Sequence, residues 1–292
     1  MQGLIIENIS NLYKIKSEDA FYNATARGKF KQEGVTPLVG DIVEFDVLKD
    51  KNEYDSVINK ILPRTSELKR PKVANITQIV FMISTKHPKP DLLMLDKQLA
   101  YAEYLHLKPA IIINKTDLAD TYKHIVDIYK KVGYEIIATN AKEKVGIDQV
   151  KELLKGKISA FSGNSGVGKS TTINAIFGSD ITAEGEISHK NKKGKNTTTS
   201  VKLYEVNSNS YIVDTPGFAN FELSEIESSK LENYFIDLKP YVEKCEFVGC
   251  THIKEHNCGI KHALEEGKIA QERYDNFCKI YQELKDKEER KW

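Results

Sequence analysis

The chain has 292 residues, of which 40% are apolar and 29% charged, and its formal net charge is +1. This length favours two domains and allows three, and no apolar run approaches the ~20 residues that span a bilayer. The small net charge excludes a strong overall electrostatic field, so contacts with nucleic acid would need local basic patches. No basic stretch followed by an apolar one stands near Met1, which predicts a cytoplasmic protein without a secretory signal.

Residues 1–66 are predicted to form a small β-barrel. Short, partly alternating apolar segments are separated by glycine and proline turns, as is typical of all-β structure. The segments are 3–9, 20–26, 41–47 and 57–62. So many short strands in so few residues favour a barrel of the oligonucleotide-binding (OB) fold. An SH3-like barrel with no role in nucleic-acid binding is the alternative. The polar stretch 64–72 is predicted to be a linker.

From residue 76 strands and helices alternate, which predicts an α/β domain with a doubly wound sheet. The predicted strands are 76–83, 110–113, 134–138, 157–161, 201–206 and 211–213. The predicted helices between them are 91–107, 122–132, 147–154 and 170–177. The charged C-terminal region adds helices predicted at 226–238 and 270–284. The predicted domains are therefore 1–66, 72–221 and 222–292.

A predicted guanine-reading element follows the strand 110–113. Its residues are Asn114, Lys115, Thr116 and Asp117. They stand at the carboxyl end of a strand, where open α/β sheets bind ligands. The Asp117 carboxylate can accept hydrogen bonds from guanine N1–H and the N2 amine, and adenine lacks both donors. Asn114 would brace the loop and the Lys115 stem would lie over the base, while residues 139–141 would contact guanine O6. A polar turn with a helix cap is the alternative.

A phosphate-binding loop is predicted between the strand 157–161 and the helix 170–177. Its residues are Gly163, Asn164, Ser165, Gly166, Val167, Gly168, Lys169, Ser170 and Thr171. The glycines let backbone N–H groups turn inward around a phosphate, and the helix N-terminus favours the negative charge. Lys169 is predicted to reach the β- and γ-phosphates, and the Ser170 hydroxyl to ligate Mg²⁺. The alternative is a glycine-rich turn before an ordinary helix.

The two nucleotide motifs stand in the reverse of their usual order. A parallel α/β domain can be cut and rejoined at surface loops without moving its pocket. The order therefore predicts a circularly permuted GTPase, in which the segment after the nucleotide switch runs directly into the C-terminal region.

That switch is predicted at residues 214–217, after the strand 211–213. Asp214 would hold Mg²⁺ through water and the Gly217 N–H would sense the γ-phosphate; an ordinary strand-ending turn is the alternative. Residue 218 is Phe, where many regulatory GTPases have a glutamine that orients water. Because a phenyl ring cannot do this, we expect slow intrinsic hydrolysis unless another group or a partner positions the water.

A lysine-rich run, 190–199, separates the phosphate loop from the switch. One of its three threonines is predicted to close on Mg²⁺ and the γ-phosphate as a first switch. Its lysines would meet RNA phosphates in a salt-sensitive contact, or the run is a solvated loop.

Cysteines cluster in the C-terminal region. The candidate metal ligands are Cys245, Cys250, His252 and Cys258. Three thiolates and one imidazole with no open position predict a structural Zn²⁺ site. His256 is a competing ligand, and free thiols are the alternative. Cys278 lies in a predicted helix and is expected to be packing.

Together these motifs resemble the ribosome small-subunit-dependent GTPase family (RsgA type) across essentially the whole chain. The resemblance implies an N-terminal OB-fold barrel, a central, circularly permuted α/β P-loop GTPase and a C-terminal α-helical zinc-binding domain. It implies a monomer that hydrolyses GTP as a late assembly factor of the small ribosomal subunit, binds its rRNA and is stimulated by it. It also implies that the zinc ligands are the four residues above.

The first switch departs from the family pattern. That pattern commonly reads Gly-Arg-His-Thr-Thr, and this chain has asparagine at position 196 in place of the histidine. An imidazole can exchange a proton near neutral pH, whereas the Asn196 amide can only orient water. The resemblance makes Thr198 the candidate Mg²⁺-sensing residue. Two other functions stay open: another P-loop NTPase, such as a kinase or ATPase, and an RNA-binding module whose nucleotide pocket only gates affinity.

Overall fold

The computed structural model describes residues 1–18, 20–48, 54–69, 72–181, 201–214 and 223–290. By their contacts the residues form two compact units. The first unit comprises 1–80, 141–162 and 169–218, and the second comprises 81–140, 163–168 and 219–292. This grouping follows contacts alone, and the three predicted domain ranges stay a prediction.

The first unit begins with a closed barrel of five strands. They are β1 (Gln2–Ile9), β2 (Leu12–Ser17), β3 (Ala20–Ala26), β4 (Ile42–Val47) and β5 (Ser56–Ile61). Their order is β1-β2-β3-β5-β4, and β4 closes the barrel by pairing with β1. The β3–β5 pair is parallel and the other pairs are antiparallel. Helix α1 (Lys29–Gln32) joins β3 to β4. This five-stranded closed barrel confirms the predicted OB fold.

Alternate residues of the strands fill the barrel. The sequence segments showed this period only in part, and β2 was missed. The inward side chains, 0–2% exposed, are Ile5, Tyr13, Ile15, Ala24, Val43, Phe45 and Ile58. Burial of each large apolar side chain contributes roughly 1.5–3 kcal/mol before chain entropy is subtracted, so this row is the main source of barrel stability.

The segment predicted as a linker is instead structured. Strands β6 (Glu67–Lys69) and β7 (Lys72–Ala74) pair as an antiparallel hairpin. Ahead of it, Arg64 forms two hydrogen bonds with Asp41, from Nε to Oδ1 and from Nη2 to Oδ2, both 2.8 Å long. The Asp41 side chain is fully buried and also accepts a bond from the Leu38 amide at 2.7 Å. The linker prediction was wrong because this ion pair holds the polar stretch against the barrel.

The predicted α/β pattern is present after the hairpin. In chain order its elements are β8 (Gln78–Ser84), α2 (Leu92–Tyr104), β9 (Lys108–Asn114), α3 (Tyr122–Val132), β10 (Glu135–Ala138), α4 (Ile147–Leu154), β11 (Ile158–Ser162), α5 (Lys169–Phe177), β12 (Lys202–Asn207) and β13 (Ser210–Asp214). Every residue of β8 is buried, which explains its continuous apolar run. Helix α2 begins at Asp91, whose side chain accepts a hydrogen bond from the Met94 amide.

Each unit has its own strand order. In the first unit the order is β8-β11-β13-β12. Strand β13 is parallel to β11 and antiparallel to β12. Strand β12 then pairs with β1 of the barrel through Lys202 and Glu7. In the second unit β9 lies between β8 and β10, and β9 and β10 are parallel. The chain thus enters the second unit within β8.

The rest of the second unit is the C-terminal region. It contains 3₁₀ segments at Leu223–Glu225 and Ser228–Tyr234, then α6 (Lys239–Val242), α7 (Gly259–Glu265) and α8 (Gln271–Glu289). The prediction of a regular helix at 226–238 was wrong, because the structure has a 3₁₀ segment at Ser228–Tyr234 within this range. The backbone N and Oγ of Ser228 each donate to the Glu288 carboxylate at 2.7 Å, so a tertiary contact holds this segment in short turns.

An apolar core joins these C-terminal elements to helix α2. Its buried members are Ala100, Leu223, Ile226, Leu231, Phe235, Leu238, Cys250, Cys258, Ile260, Ala263, Ile269, Phe277, Ile280 and Leu284. Because Ala100 belongs to α2, the C-terminal region shares its core with that helix. Within the described residues, no helix has the length and apolarity needed to cross a membrane.

We expect Arg64→Met to lower the free energy of barrel unfolding by about 3 kcal/mol, because it leaves the Asp41 carboxylate buried without its charged partner. Lys60→Met is the matched control, since Lys60 and Glu44 form only an exposed pair at 4.0 Å and should change stability by less than about 0.5 kcal/mol. Native-state hydrogen exchange in β1–β5 measures both. Equal effects of the two changes would contradict the role given to Arg64.

Candidate functional site

Close backbone contacts shape the phosphate loop. Gly163 lies against β8, and a Cβ there would stand 2.5 Å from the Met82 carbonyl oxygen. Gly168 has a φ of +97°, and a Cβ there would stand 2.1 Å from Asn114 Nδ2. Only glycine combines this backbone angle with this approach. The spacing of these glycines therefore follows from packing as well as from anion binding.

The end of β9 is bonded directly to the phosphate loop. Asn114 Nδ2 donates to the Val167 carbonyl at 3.0 Å, and Asn114 is 3% exposed. Lys115 Nζ donates to the Gly166 carbonyl at 2.6 Å and also to the His87 carbonyl. Two motifs that stand about fifty residues apart in the chain are thus adjacent in the second unit.

The loop after β10 belongs to the same arrangement. Thr139 Oγ1 donates to Asn114 Oδ1 at 3.1 Å, and the Thr116 amide donates to the Thr139 carbonyl at 3.2 Å. These bonds hold the segment beginning at Asn114 on both sides, whereas Asp117 is exposed at its tip. An exposed carboxylate on a braced loop is suited to reading the edge of a planar ligand.

The start of helix α2 packs against the phosphate loop. Residues of both surround a cavity of about 10 Å³, which leaves space for no ligand. The lining side chains include Pro88, Met94 and Leu95 on one side and Asn164 and Val167 on the other. Residues of α2 and of the loop therefore lie on opposite sides of this small cavity.

The remaining predicted nucleotide residues are distributed as follows. Lys169, Ser170 and Thr171 form the first turn of α5, in the first unit, directly after Gly168. Asp214 is the last residue of β13. The predicted residues Asn196, Thr198 and Gly217 lie outside the described residues. Their predicted roles, like those of the other site residues, stay predictions.

The four candidate metal ligands are brought together in the second unit. One ligand atom from each of Cys245, Cys250, His252 and Cys258 lies within 4.8 Å of all the others. The Nδ1 atom of His252 is 3.5 Å from Cys245 Sγ and 3.4 Å from Cys258 Sγ. The metal-site group contains His252 and not His256. Three sulfur donors and one nitrogen in a closed group fit a tetrahedral metal ion such as Zn²⁺.

Burial affects the thiols of this group. It raises the pKa of the Cys250 thiol to about 12 and also raises the pKa of Cys258. A cation ligated by these sulfur atoms favours the thiolate over the thiol, so metal binding and proton release are linked.

The structure adds a residue that the sequence did not indicate. Glu232 Oε2 lies 2.5 Å from His252 Nε2, on the side of the ring away from the thiols. A carboxylate in this place fixes the tautomer that leaves Nδ1 available to a metal. Glu232 stands 20 residues before His252, and this separation matches no spacing typical of metal ligands. Sequence reasoning missed Glu232 for that reason. Cys278 is partly buried against the C-terminal core, in line with a packing role.

The fold and the site together define a class of protein: an OB-fold barrel followed by a P-loop GTPase domain in permuted order and a helical region with a Cys₃His group. The family models agree. The RsgA N-terminal domain matches residues 2–54 and the RsgA GTPase matches residues 61–224.

Relatives and solved structures give the same result. A small ribosomal subunit biogenesis GTPase RsgA from Clostridium kluyveri is 40% identical over 98% of this chain and 99% of its own. A protein of the same name from Ruminiclostridium cellulolyticum is 39% identical over 97% of this chain and 94% of its own. The crystal structure of YjeQ from Thermotoga maritima matches with a TM-score of 0.83 and 35% sequence identity. The match covers 97% of this chain and 98% of YjeQ. The crystal structure of YloQ, a circularly permuted GTPase, matches with a TM-score of 0.82 and 30% sequence identity. The match covers 98% of this chain and 95% of YloQ. The chain belongs to the RsgA GTPase family and is a GTPase.

We expect Glu232→Ala to weaken metal binding by about 10- to 100-fold, because the His252 ring loses the acceptor that orients it. Glu227→Ala is the matched control, since Glu227 caps the same 3₁₀ segment and forms only a surface pair with Lys230 at 2.8 Å. Competition with a chromophoric chelator measures the affinity for Zn²⁺. Loss of affinity in both variants, or in neither, would show that Glu232 does not orient the ligand.

Proposed function

We propose that this GTPase acts in the maturation of the small ribosomal subunit and binds GTP at the site described above. The observation that carries the proposal is the direct bonding of the end of β9 to the phosphate loop, through Asn114 to Val167 and Lys115 to Gly166. This arrangement can hold a purine at one end and a phosphate chain at the other. The names of the relatives supply the ribosomal role.

The phosphate end of the site is assigned to the loop 163–168 and the start of α5. Backbone N–H groups of the loop would hold the β-phosphate, and the N-terminus of α5 would favour its charge. Lys169 would stabilise the charge that develops on the transferred phosphoryl group, and Ser170 would ligate Mg²⁺. Asp214, at the end of β13, would hold the same ion through water.

The base end is assigned to the residues after β9. Asp117 is exposed and would accept hydrogen bonds from the guanine N1–H and N2 amine. Lys115 is braced by two backbone carbonyls, so its aliphatic stem would lie over the base. Loss of such paired polar contacts discriminates against a wrong base by roughly 10⁴ or more, which would exclude ATP.

The attacking water needs a group that the described residues do not supply. Phe218 cannot orient it, so Asn196 and Thr198 of the first switch, with Gly217 sensing the γ-phosphate, are the candidates. An amide orients water but does not take its proton. We therefore propose that positioning of the attacking water is the slow step of hydrolysis. The small ribosomal subunit would accelerate this step.

Zn²⁺ is the proposed metal of the Cys₃His group. The closed donor set leaves no position for a substrate, so the ion would be structural. It would stiffen the loop between α6 and α7, and the barrel and this loop would both contact rRNA. A cytoplasmic, monomeric protein fits these roles.

We expect Asp117→Asn to move nucleotide preference from guanine toward xanthine, because the amide presents a donor where guanine also donates. Asp120→Asn is the control, since Asp120 forms only an exposed pair with Lys123. Binding of fluorescent GDP and XDP to each variant measures the preference. Unchanged GDP affinity in the Asp117 variant would remove the base-reading role.

We expect purified small subunits to raise GTP turnover of the wild type by at least about tenfold, since we assign the slow step to positioning of the water and propose that the subunit accelerates this step. Asn196→Ala should lower the stimulated rate more than nucleotide affinity. Turnover with and without subunits, with large subunits as the control, tests the function. Equal turnover in all three conditions would leave a nucleotide-gated RNA-binding module as the better account.

A further inference from the structure

A buried charged centre joins helix α2 to the C-terminal region. We define the Arg273 centre as Asp96, Tyr129, Asp237, Arg273 and Asn276. Arg273 is 1% exposed and Asp96 fully buried. All five residues lie in the second unit, and nothing in the proposed chemistry of GTP hydrolysis uses them.

The hydrogen bonds of the centre converge on two carboxylates. Asp96 Oδ1 accepts from Arg273 Nη1 at 2.6 Å and from the Tyr129 hydroxyl at 2.7 Å, and Oδ2 accepts from Asn276 Nδ2 at 2.7 Å. Asp237 accepts from Arg273 Nε and Nη2 at 3.0 and 2.5 Å. The guanidinium carbon also lies 4.5 Å from the centre of the Phe235 ring. Arg273 is therefore held by two acids and an aromatic face at once.

Such a contact differs from the apolar packing around it. Apolar burial is non-directional, whereas a buried ion that loses its partner costs about 3–5 kcal/mol. The geometry of the Arg273 centre consequently fixes α8 to α2 at one register. The Lys97–Glu283 pair, at 2.5 Å between the same two helices, is partly exposed and imposes a weaker constraint because solvent can replace it.

Helix α2 continues this contact to the nucleotide site. Asp96 lies between Met94 and Gln98, and both of these line the small cavity against the phosphate loop. The loop before α2 bonds to Lys115 through the His87 carbonyl. In the other direction, Tyr274 beside Arg273 donates its hydroxyl to the His252 carbonyl at 2.7 Å. One chain of contacts thus runs from the phosphate loop to a metal ligand.

We propose that Arg273 is a positioning residue that couples guanine-nucleotide binding to the C-terminal helix α8. Opening of α8 breaks the Arg273 centre and displaces α2, and this displacement disturbs the phosphate loop. A bound nucleotide therefore opposes the opening of α8, and by reciprocity the docking of α8 favours the nucleotide. Spatial continuity alone does not establish coupling, so the test measures the coupling itself.

The experiment is hydrogen exchange of the zinc-loaded full chain, with and without Mg²⁺ and GDP, resolved by peptide. With GDP at 100 times its Kd, exchange that requires disruption of the nucleotide site slows by up to about 100-fold. In the wild type we expect GDP to slow amide exchange in residues 163–168. We also expect GDP to slow exchange in residues 271–289 by about tenfold or more.

The variant Asp96→Asn/Asp237→Asn/Arg273→Met removes all three charges together, so no buried ion is left unpaired. It should still show GDP-dependent slowing in 163–168 but none in 271–289. Arg273→Lys keeps the charge and loses the planar fork, and should give an intermediate response even if the triple variant does not fold. Lys97→Met/Glu283→Gln is the matched control and should respond as the wild type does.

Three outcomes would overturn the proposal. A GDP response in 271–289 that persists in the triple variant would make the Arg273 centre a structural contact only. A wild type that is slowed in 163–168 but not in 271–289 would exclude coupling while leaving nucleotide binding intact. No slowing in 163–168 would contradict the nucleotide site itself, and this proposal with it.

Discussion

The hydrogen bond from Asn114 to the Val167 carbonyl joins the two loops to which we assign nucleotide binding. It explains why Gly168 must lack a side chain, since Asn114 occupies the space of its Cβ. It also explains why chain order is free to change. The contact needs the end of β9 beside the loop after β11, and neither the barrel nor the connection between the motifs takes part in it. A permuted chain that keeps this bond keeps the two loops adjacent.

Elements with strong periodicity were predictable from the sequence. Helices α3 and α4 have the predicted bounds, because each carries an apolar stripe at helical spacing and is not overridden by other contacts. Strands β8 and β9 were recognised for a different reason, because each is a nearly continuous apolar run of the kind that buried parallel strands have. The four metal ligands could be named because thiols and imidazole at short spacing have few other uses. In each case the information is local in the chain.

What could not be predicted is set by contacts distant in sequence. Glu232 orients His252 across 20 residues, and Arg273 meets Asp96 across 177. Arg64 turns a polar stretch into ordered structure by meeting Asp41. None of these charged residues differs locally from a surface residue, and only the fold shows that its partner is buried. The helix predicted at 226–238 failed similarly, since Glu288 holds Ser228 in a short turn.

The C-terminal region combines three kinds of constraint because its apolar core alone is small and shared with α2. The Cys₃His group, as a candidate metal site, lies in the loop between α6 and α7, and this loop carries two exposed apolar side chains, Phe247 and Val248. The Arg273 centre fixes the register of α8. The shared core supplies most of the burial, and that contribution is non-directional. The hydrogen-bonded charges of the Arg273 centre set the position of α8 against α2, which non-directional apolar burial alone does not do.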